Sequence, residues 1–219
     1  MMNANELFDI ISEQLKNEEA NSTILRNQIA TGKKWNYSIC ATPIVIGKPL
    51  VLGINWGGGG PKDNFDYSVQ NKMPTKEGFL KELKNGEYKF LSLSKKYFEK
   101  HLDLNIDTDD FNYSNLCFFR TPNIKYLKGE DFKISIPILK QYVKELKPSF
   151  ILSLGNTNIN YLKQSYELNN NSLELLNSGK ALAYKGTLWS IPFCCLPHPG
   201  AHLFGNDRDK IWDLVFKKM

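Results

Sequence analysis

The chain has 219 residues, of which 42% are hydrophobic and 23% charged, and its formal net charge is +5. These values fit one ordinary globular domain, and no stretch approaches the roughly 18 apolar residues that span a bilayer. The positive charge permits a polyanionic partner without requiring one.

The first half of the chain is predicted to contain helices at its start, a strand and two further helices. An apolar stripe at helical spacing predicts a first helix, and its residues are Leu7, Ile10, Ile11 and Leu15. A second short helix is expected through Ile24 and Leu25. Together these helices form an extension over residues 1–35 that is expected to pack on the domain. This polar start lacks the apolar region of a signal peptide. Residues 48–55 are typical of a buried strand, and helices are predicted over 75–84 and 89–101.

The second half is predicted to alternate strands with helices. Strands are expected over 111–119, 149–155 and 188–196, with an asparagine-rich loop over 169–177. The helix that ends near Leu146 has an apolar stripe of Ile134, Ile138, Tyr142 and Leu146. The next two helices are expected to be capped by Asn156 and Asn206, with buried stripes of Ile159, Leu162 and Tyr166, and of Ile211, Leu214 and Val215.

This order of elements predicts a single α/β domain, a three-layer sandwich. Its mostly parallel sheet would have about four strands and carry helices on both faces. Ligands in such folds bind beyond the carboxyl ends of the strands. Three polar motifs fall at or near such ends, so we expect them to lie close together.

The first motif is the glycine-rich segment 53–61, which follows the first strand. Consecutive glycines let the backbone approach a ligand closely and offer several N–H groups. The segment matches neither a phosphate-binding P-loop nor a dinucleotide-binding fingerprint. It indicates a ligand-binding turn, with a flexible connection as the alternative.

The other two motifs centre on an asparagine and a histidine. Asn115 lies inside an apolar strand, where its amide needs hydrogen-bonding partners. His198 lies between two prolines, which restrict the backbone on both sides of the imidazole. Either residue suits a ligand contact, and either equally suits a structural role: an asparagine satisfied by nearby backbone, or a histidine packed at a turn.

The four cysteines show no metal-binding pattern. Cys40, Cys117, Cys194 and Cys195 contain no C-x-x-C pair, and they are too few and badly spaced for a zinc or iron–sulfur site. A disulfide framework is not expected in an intracellular chain, and the adjacent pair is typical of core residues. The cysteines therefore predict no metal site, and the absence of a signal peptide and of an apolar span predicts a cytoplasmic protein without a membrane partner.

Together the three motifs resemble those of the uracil-DNA glycosylase superfamily, closest to its single-strand-selective and mismatch-specific branches. The family's first motif reads Gly, Met or Ile, Asn, Pro, Gly, and here it stands as 53–57 with Trp56 in place of proline. Its second is an asparagine in a central strand with an Arg-Pro-Pro-like segment after it, similar to Asn115 and the segment 120–122. Its third is His-Pro-Ser before a wedge residue, similar to 198–200, with Gly200 in place of serine. The resemblance spans residues 45 to 215, and the cysteines exclude the iron–sulfur branches.

The resemblance implies a DNA glycosylase that flips uracil or a related damaged base out of DNA and hydrolyses its N-glycosidic bond. This chemistry requires neither a metal nor an organic cofactor. Asn55 would orient the attacking water, and His198 would donate a hydrogen bond to the base as negative charge develops. Asn115 would read the base edge through both amide atoms. Phe65 is favoured over Tyr67 as the stacking residue, and Leu203 would fill the gap left by the flipped base. The implied base-binding set is Asn115, Phe65, Tyr67, Gly53, Ile54, Trp56 and Gly57, and the implied DNA-binding set is Gly200, His202, Leu203 and Phe204.

The implied partner is single- or double-stranded DNA in the nucleoid, bound by a monomer, and two other functions stay open. A non-catalytic relative would bind nucleic acid or a modified base without cutting it; Trp56 and Gly200 favour that alternative, whereas the intact asparagines and His198 oppose it. An unrelated nucleotide-binding enzyme would need a helix directly after Gly60. The segment 61–64 argues against such a helix, although proline is allowed in a first helical turn.

Overall fold

The structure is a computed structural model that describes residues 2–23, 37–57, 69–121, 124–168, 172–203 and 206–217. The α-helices within these ranges are α1 (Ala4–Glu18), α2 (Lys76–Lys84), α3 (Lys89–Leu102), α4 (Gly129–Leu146), α5 (Thr157–Gln164) and α6 (Asp207–Phe216). The strands are β1 (Leu50–Gly57), β2 (Asn112–Thr121), β3 (Ile151–Leu154), β4 (Leu173–Ser178), β5 (Ala181–Leu188) and β6 (Ile191–Leu196). Among the described helices, none has the length and apolar character needed to cross a membrane.

The strands form one sheet in the order β2-β1-β3-β6-β5-β4. The strands β2, β1, β3 and β6 are mutually parallel, and β5 runs antiparallel to both of its neighbours. The predicted α/β class and mostly parallel sheet are confirmed, but the count of about four strands is wrong, because the described sheet has six. The four predicted strands are the four parallel ones.

The two strands that the sequence did not predict, β4 and β5, form a hairpin at the edge of the sheet. Most of β4 falls in the segment that was predicted to be an asparagine-rich loop. A two-residue turn joins it to β5, with Gly179 at a φ of 60°, as a II′ hairpin turn requires. At the other end of β5, Trp189 and Ser190 both adopt positive φ (52° and 66°) without the Asn-Gly pair that usually signals such a turn. The turn was therefore hidden inside the predicted strand 188–196.

Helices cover both faces of the sheet and enclose two hydrophobic clusters. Alternate residues of a strand point to opposite faces, so Leu50 and Leu52 of β1 join the first cluster whereas Val51 joins the second. The first cluster includes buried residues of α1, α4 and α5, and the second includes those of α2, α3 and α6. Burial of these two apolar surfaces is the main stabilising contribution to the layered arrangement.

The predicted N-terminal extension packs on the first cluster where the structure describes it. Leu7, Ile11 and Leu15 of α1 are fully buried, and Ile10 at the edge of this stripe is partly buried. The predicted second helix through Ile24 and Leu25 lies outside the described residues.

Two local predictions around α5 are wrong. Asn156 stands at the helix start, but its side chain makes no capping hydrogen bond and instead donates to the carbonyl of Leu182 in β5. Tyr166 was placed in the buried stripe, yet it lies beyond the end of the helix at a φ of 58° and is 94% exposed. Asn206 also stands at the N-cap position of α6, but its side chain makes no capping hydrogen bond, so the predicted cap is wrong there too.

The sheet has a topological switch point between β1 and β3. The helices that follow β1, namely α2 and α3, contribute to the second cluster, whereas α5, which follows β3, contributes to the first. Adjacent parallel strands whose connections leave on opposite faces open a crevice at their carboxyl ends, where α/β proteins bind ligands.

Candidate functional site

A cavity of about 470 Å³ lies at this crevice. Such a volume is within the roughly 300–1,000 Å³ of small-molecule sites. Residues from β1, β2, the end of β3, the α2–α3 connection and the segment after β6 line it: Gly53, Ile54, Asn55, Trp56, Gly86, Glu87, Tyr88, Lys89, Phe90, Tyr113, Asn115, Leu154 and His198. Asn55, Asn115 and His198, which the sequence analysis singled out separately, are therefore brought to one cavity.

Asn115 lies against Gly53, its register partner on the neighbouring strand. The amide oxygen Oδ1 of Asn115 would be 2.1 Å from a Cβ atom on Gly53, so only glycine leaves room for this side chain. Asn115 is fully buried. Its Oδ1 accepts a hydrogen bond from the Tyr113 hydroxyl at 3.2 Å, and its Nδ2 is buried without a hydrogen-bonding partner among the described residues. The buried amide is therefore held through its oxygen, whereas its nitrogen is an unsatisfied donor.

Asn55 occupies an irregular part of the sheet. Asn55 pairs with Cys117 and Trp56 with Arg120, so the partner strand β2 carries extra residues in a bulge at this point. Regular alternation would point two consecutive residues to opposite faces. Here both Asn55 and Trp56 line the cavity. The Asn55 Nδ2 donates to Thr121 Oγ1 at 2.9 Å, which fixes the amide orientation and leaves Oδ1 as the available acceptor.

His198 is held as a neutral donor. Its Nδ1 accepts a hydrogen bond from the Gly200 backbone N–H at 3.1 Å, so in the neutral ring the proton is on Nε2. His198 is exposed at one edge, but partial desolvation by the surrounding protein lowers its pKa below the ordinary value, and the positive charge of Arg208 lowers it further. The Arg208 guanidinium donates to the carbonyls of Pro199 and Ala201, which fixes the turn after the histidine from α6. The sequence analysis missed Arg208, because nothing in the chain order indicates that α6 returns to this turn.

Trp56 does not fill the cavity. Its side chain is 7% exposed, and its ring packs edge-on against Tyr113 with the centroids 5.3 Å apart. Its indole Nε1 is buried without a hydrogen-bonding partner in the described part of the chain. The residues that line the cavity therefore contain two buried unsatisfied donors, Trp56 Nε1 and Asn115 Nδ2.

The connection between α2 and α3 forms a wall that the sequence analysis did not assign. Tyr88 adopts a left-handed conformation (φ 49°), and its hydroxyl donates to Glu82 at 2.9 Å. The Phe90 ring lies 5.1 Å from the Tyr113 ring and 6.3 Å from the His198 ring, between centroids. A helix that precedes a parallel strand starts at the carboxyl edge of the sheet, which places the start of α3 here. This topological rule could have predicted from the sequence that the start of α3 lies at the site.

The remaining predicted site residues are placed as follows. Ile54 lines the cavity and also packs on the first cluster, and Gly57 ends β1 opposite Thr121. Gly200 and His202 are exposed after His198, and Leu203 is partly buried against the second cluster. Three predicted contact residues lie outside the described residues: Phe65, Tyr67 and Phe204.

The described residues contain no group of three or more His, Cys, Asp or Glu side chains that could hold a metal ion. All four cysteines are buried as free thiols, and burial raises the pKa of each, to about 12 for Cys117 and Cys195. A thiol that stays protonated is a poor nucleophile, so the cysteines offer no reactive group here.

No protein-family model matches this chain, and a comparison with curated proteins also finds no match.

Proposed function

We propose that this chain is a DNA glycosylase of the uracil-DNA glycosylase type, which hydrolyses the N-glycosidic bond of uracil or a related damaged base. The observation that carries the proposal is the meeting of Asn55, Asn115 and His198 at one cavity of about 470 Å³. Three separate segments supply these side chains, in the order that the family resemblance implies. The cavity can hold a flipped base, which duplex DNA would have to extrude.

The different burial of Asn115 and His198 indicates the order in which a base would meet them. Asn115 is fully buried and His198 is exposed, so a base entering past His198 would reach the asparagine last. Asn115 Nδ2 offers a donor to a base carbonyl. Its Oδ1 already accepts from Tyr113, but a carbonyl oxygen has two lone pairs and retains one for a ring N–H.

The chemistry requires stabilisation of the departing base and placement of a water. As the C1′–N bond breaks, negative charge develops on the base, and the neutral His198 donates to it through Nε2–H. The lowered pKa of His198 keeps the ring neutral near pH 7. Asn55 accepts a hydrogen bond from the attacking water through Oδ1, because Thr121 holds its Nδ2. An amide positions water but takes up no proton, so this is orientation rather than base catalysis, and the proton that the water loses neutralises the departing base anion.

Contacts to DNA fall around the mouth. Lys89 lines the cavity and is exposed, as are Gly200 and His202. The start of α3 also lacks a side-chain cap, so its first N–H groups and its positive dipole end suit a phosphate oxygen. Leu203 would enter the gap that the flipped base leaves in the stack.

The test is an excision assay on single- and double-stranded oligonucleotides that carry one uracil, followed by alkaline cleavage of abasic sites. Asn55→Ala and His198→Ala should each lower the single-turnover rate by about 100-fold, as loss of one preorganised group does. Asn177→Ala, at an exposed position of β4, is the matched control and should retain full activity. Excision that persists in both site variants would refute the assigned roles.

One further variant tests whether a carboxylate, rather than Asn55, activates the attacking water. Glu87 is the one carboxylate among the described residues that line the cavity. If Glu87→Gln abolishes excision while Asn55→Ala does not, a carboxylate base replaces the proposed amide.

Binding without cleavage is the second candidate function. It is favoured by the neutrality of all three central groups, since two amides and a neutral imidazole suit a neutral base but provide no strong base for water. Tight binding of uracil-containing DNA by the wild-type protein, with no abasic product after prolonged incubation, would establish this alternative.

A further inference from the structure

Asparagine is by itself an ambiguous reader of a base edge. Rotation of its carboxamide by half a turn exchanges the oxygen with the nitrogen, so the same side chain suits either a carbonyl or an amino group on the base. Discrimination between uracil and cytosine therefore requires a neighbour that fixes the orientation. The cavity contains such a neighbour.

We propose, building on the glycosylase function above, that Tyr113 is the positioning residue that locks Asn115 with its donor toward the ligand. We infer further that Asn115 Nδ2 and Trp56 Nε1 form a paired donor wall, which selects bases with two ring carbonyls over bases with a single one.

The lock follows from the position of two residues on one strand. Tyr113 and Asn115 are two apart on β2, so their side chains share a face, and the phenol donates to Oδ1 at 3.2 Å. Trp56, Tyr88 and Phe90 surround the phenol ring with centroids 5.1 to 5.8 Å away. Within the described residues, Asn115 is the sole hydrogen-bonding partner of this hydroxyl. A flipped carboxamide would present N–H to the phenol and leave the phenolic proton buried without an acceptor.

Burial also raises the pKa of Tyr113 well above its ordinary value, so the hydroxyl keeps its proton and remains a donor. The glycine opposite fixes the remaining freedom, because Oδ1 of Asn115 occupies the space over Gly53 that any other side chain would take. The amide is thus held by a donor on one side and by backbone on the other.

The donor wall follows from the unsatisfied groups. Asn115 Nδ2 and Trp56 Nε1 are both buried in residues that line the cavity, and neither has a partner among the described residues. His198 adds a third donor through Nε2–H. Buried donors are costly unless a ligand or water accepts from them, so the complement of this wall is a ligand rich in carbonyl oxygens. Uracil and xanthine have two ring carbonyls, hypoxanthine has one, and cytosine pairs a carbonyl with an amino group.

The experiment measures specificity ratios in variants that retain the aromatic rings. Oligonucleotides with a non-cleavable 2′-fluoro nucleotide of uracil, cytosine or hypoxanthine are titrated by fluorescence anisotropy, and excision is measured on the cleavable equivalents. Tyr113→Phe should lower the preference for uracil over cytosine about tenfold to a hundredfold, because an unsatisfied buried group no longer opposes the flip. Trp56→Phe should lower the preference for uracil over hypoxanthine about tenfold.

Tyr97→Phe is the matched control, because it removes a phenol that donates to Asp209 and lies outside the residues that line the cavity. Its ratios should equal those of the wild type, and thermal unfolding confirms that each variant is folded. A ratio of uracil to cytosine that is the same in Tyr113→Phe as in Tyr97→Phe and the wild type overturns the lock. An unchanged ratio of uracil to hypoxanthine in Trp56→Phe overturns the donor wall.

A separate measurement distinguishes failure of this inference from failure of the proposed function. Saturation-transfer NMR with free uracil and free cytosine requires no DNA and no catalysis. Uracil-selective binding that Tyr113→Phe abolishes supports the lock even if no DNA is cut, in which case the glycosylase proposal alone fails. Excision of uracil from DNA with no change of ratio in Tyr113→Phe refutes the lock and leaves the glycosylase proposal standing. Absence of binding to either base and of excision refutes both.

Discussion

The close approach of Gly53 to Asn115 gives a prediction that depends on geometry alone. In Gly53→Ala, the new Cβ would lie 2.1 Å from Asn115 Oδ1 and 3.0 Å from the Tyr113 hydroxyl, so the carboxamide must move. Added atoms in a packed core cost about 1–3 kcal/mol, and the lost Tyr113 bond costs about 1 kcal/mol more. The lower entropy of the unfolded alanine chain offsets about 0.4–1 kcal/mol. The net destabilisation is about 1 to 3.5 kcal/mol.

Urea unfolding followed by circular dichroism measures this change, and a double-mutant cycle identifies its cause. If the clash is with the carboxamide, Gly53→Ala should cost far less in an Asn115→Ala background than in the wild type. Gly129→Ala is the control substitution, since a Cβ there has open space and should be neutral or slightly stabilising. Equal costs of Gly53→Ala in both backgrounds would refute the proposed packing of Asn115 over Gly53.

Two further predictions concern groups that support the site from outside. Partial desolvation and Arg208 lower the pKa of His198 in the folded protein, so excision should fall only at pH values well below the ordinary histidine pKa, and protonation also favours the unfolded state. Arg208→Gln should raise this pKa and move the acid limb of a rate–pH profile to higher pH. Arg208→Lys, which keeps the charge, should lower the rate without moving the limb. Asn158→Ala removes buried hydrogen bonds to Ser153 Oγ and to the Gly53 carbonyl, and urea unfolding should show a loss of about 1–3 kcal/mol. In comparison, Asn156→Ala, which removes an exposed bond to the Leu182 carbonyl and a weak one from the Cys195 thiol, should cost less than half as much.

Hydrophobic patterning predicted the parallel core of the fold but not its edge. The buried strands of a parallel sheet are continuous apolar runs, so the sequence placed β1, β2, β3 and β6 within a few residues. The edge strand β4 has one buried residue, Leu176, among five exposed or half-exposed ones, with Leu175 at 56% exposure, and so resembles a loop. Tyr166 shows the converse error, an exposed residue that was predicted to be buried. The helical spacing of large side chains continues past Gln164, although the helix ends there.

Motif order brought the three central residues of the site together, while their partners could not be inferred from the chain. Tyr113 lies in an apolar strand and looks like an ordinary core aromatic residue. Its role depends on sharing a face with Asn115 and on the absence of a side chain at Gly53, which are facts of sheet register. The role of Arg208 could not be predicted from the sequence either, since its contacts depend on where α6 begins relative to the turn at 199–201.

The two departures from the family motifs act on the two groups that would contact the base. Trp56, where the family has proline, packs on Tyr113 and so supports the residue that holds Asn115. Gly200, where the family has serine, donates its N–H to His198, and a Cβ at this position would lie 3.2 Å from the same ring nitrogen. A side chain at 200 would therefore press on the imidazole that the backbone now orients. Trp56 and Gly200, the two positions that depart from the resembled motifs, thus coincide with the packing and the hydrogen bond that orient the cavity donors.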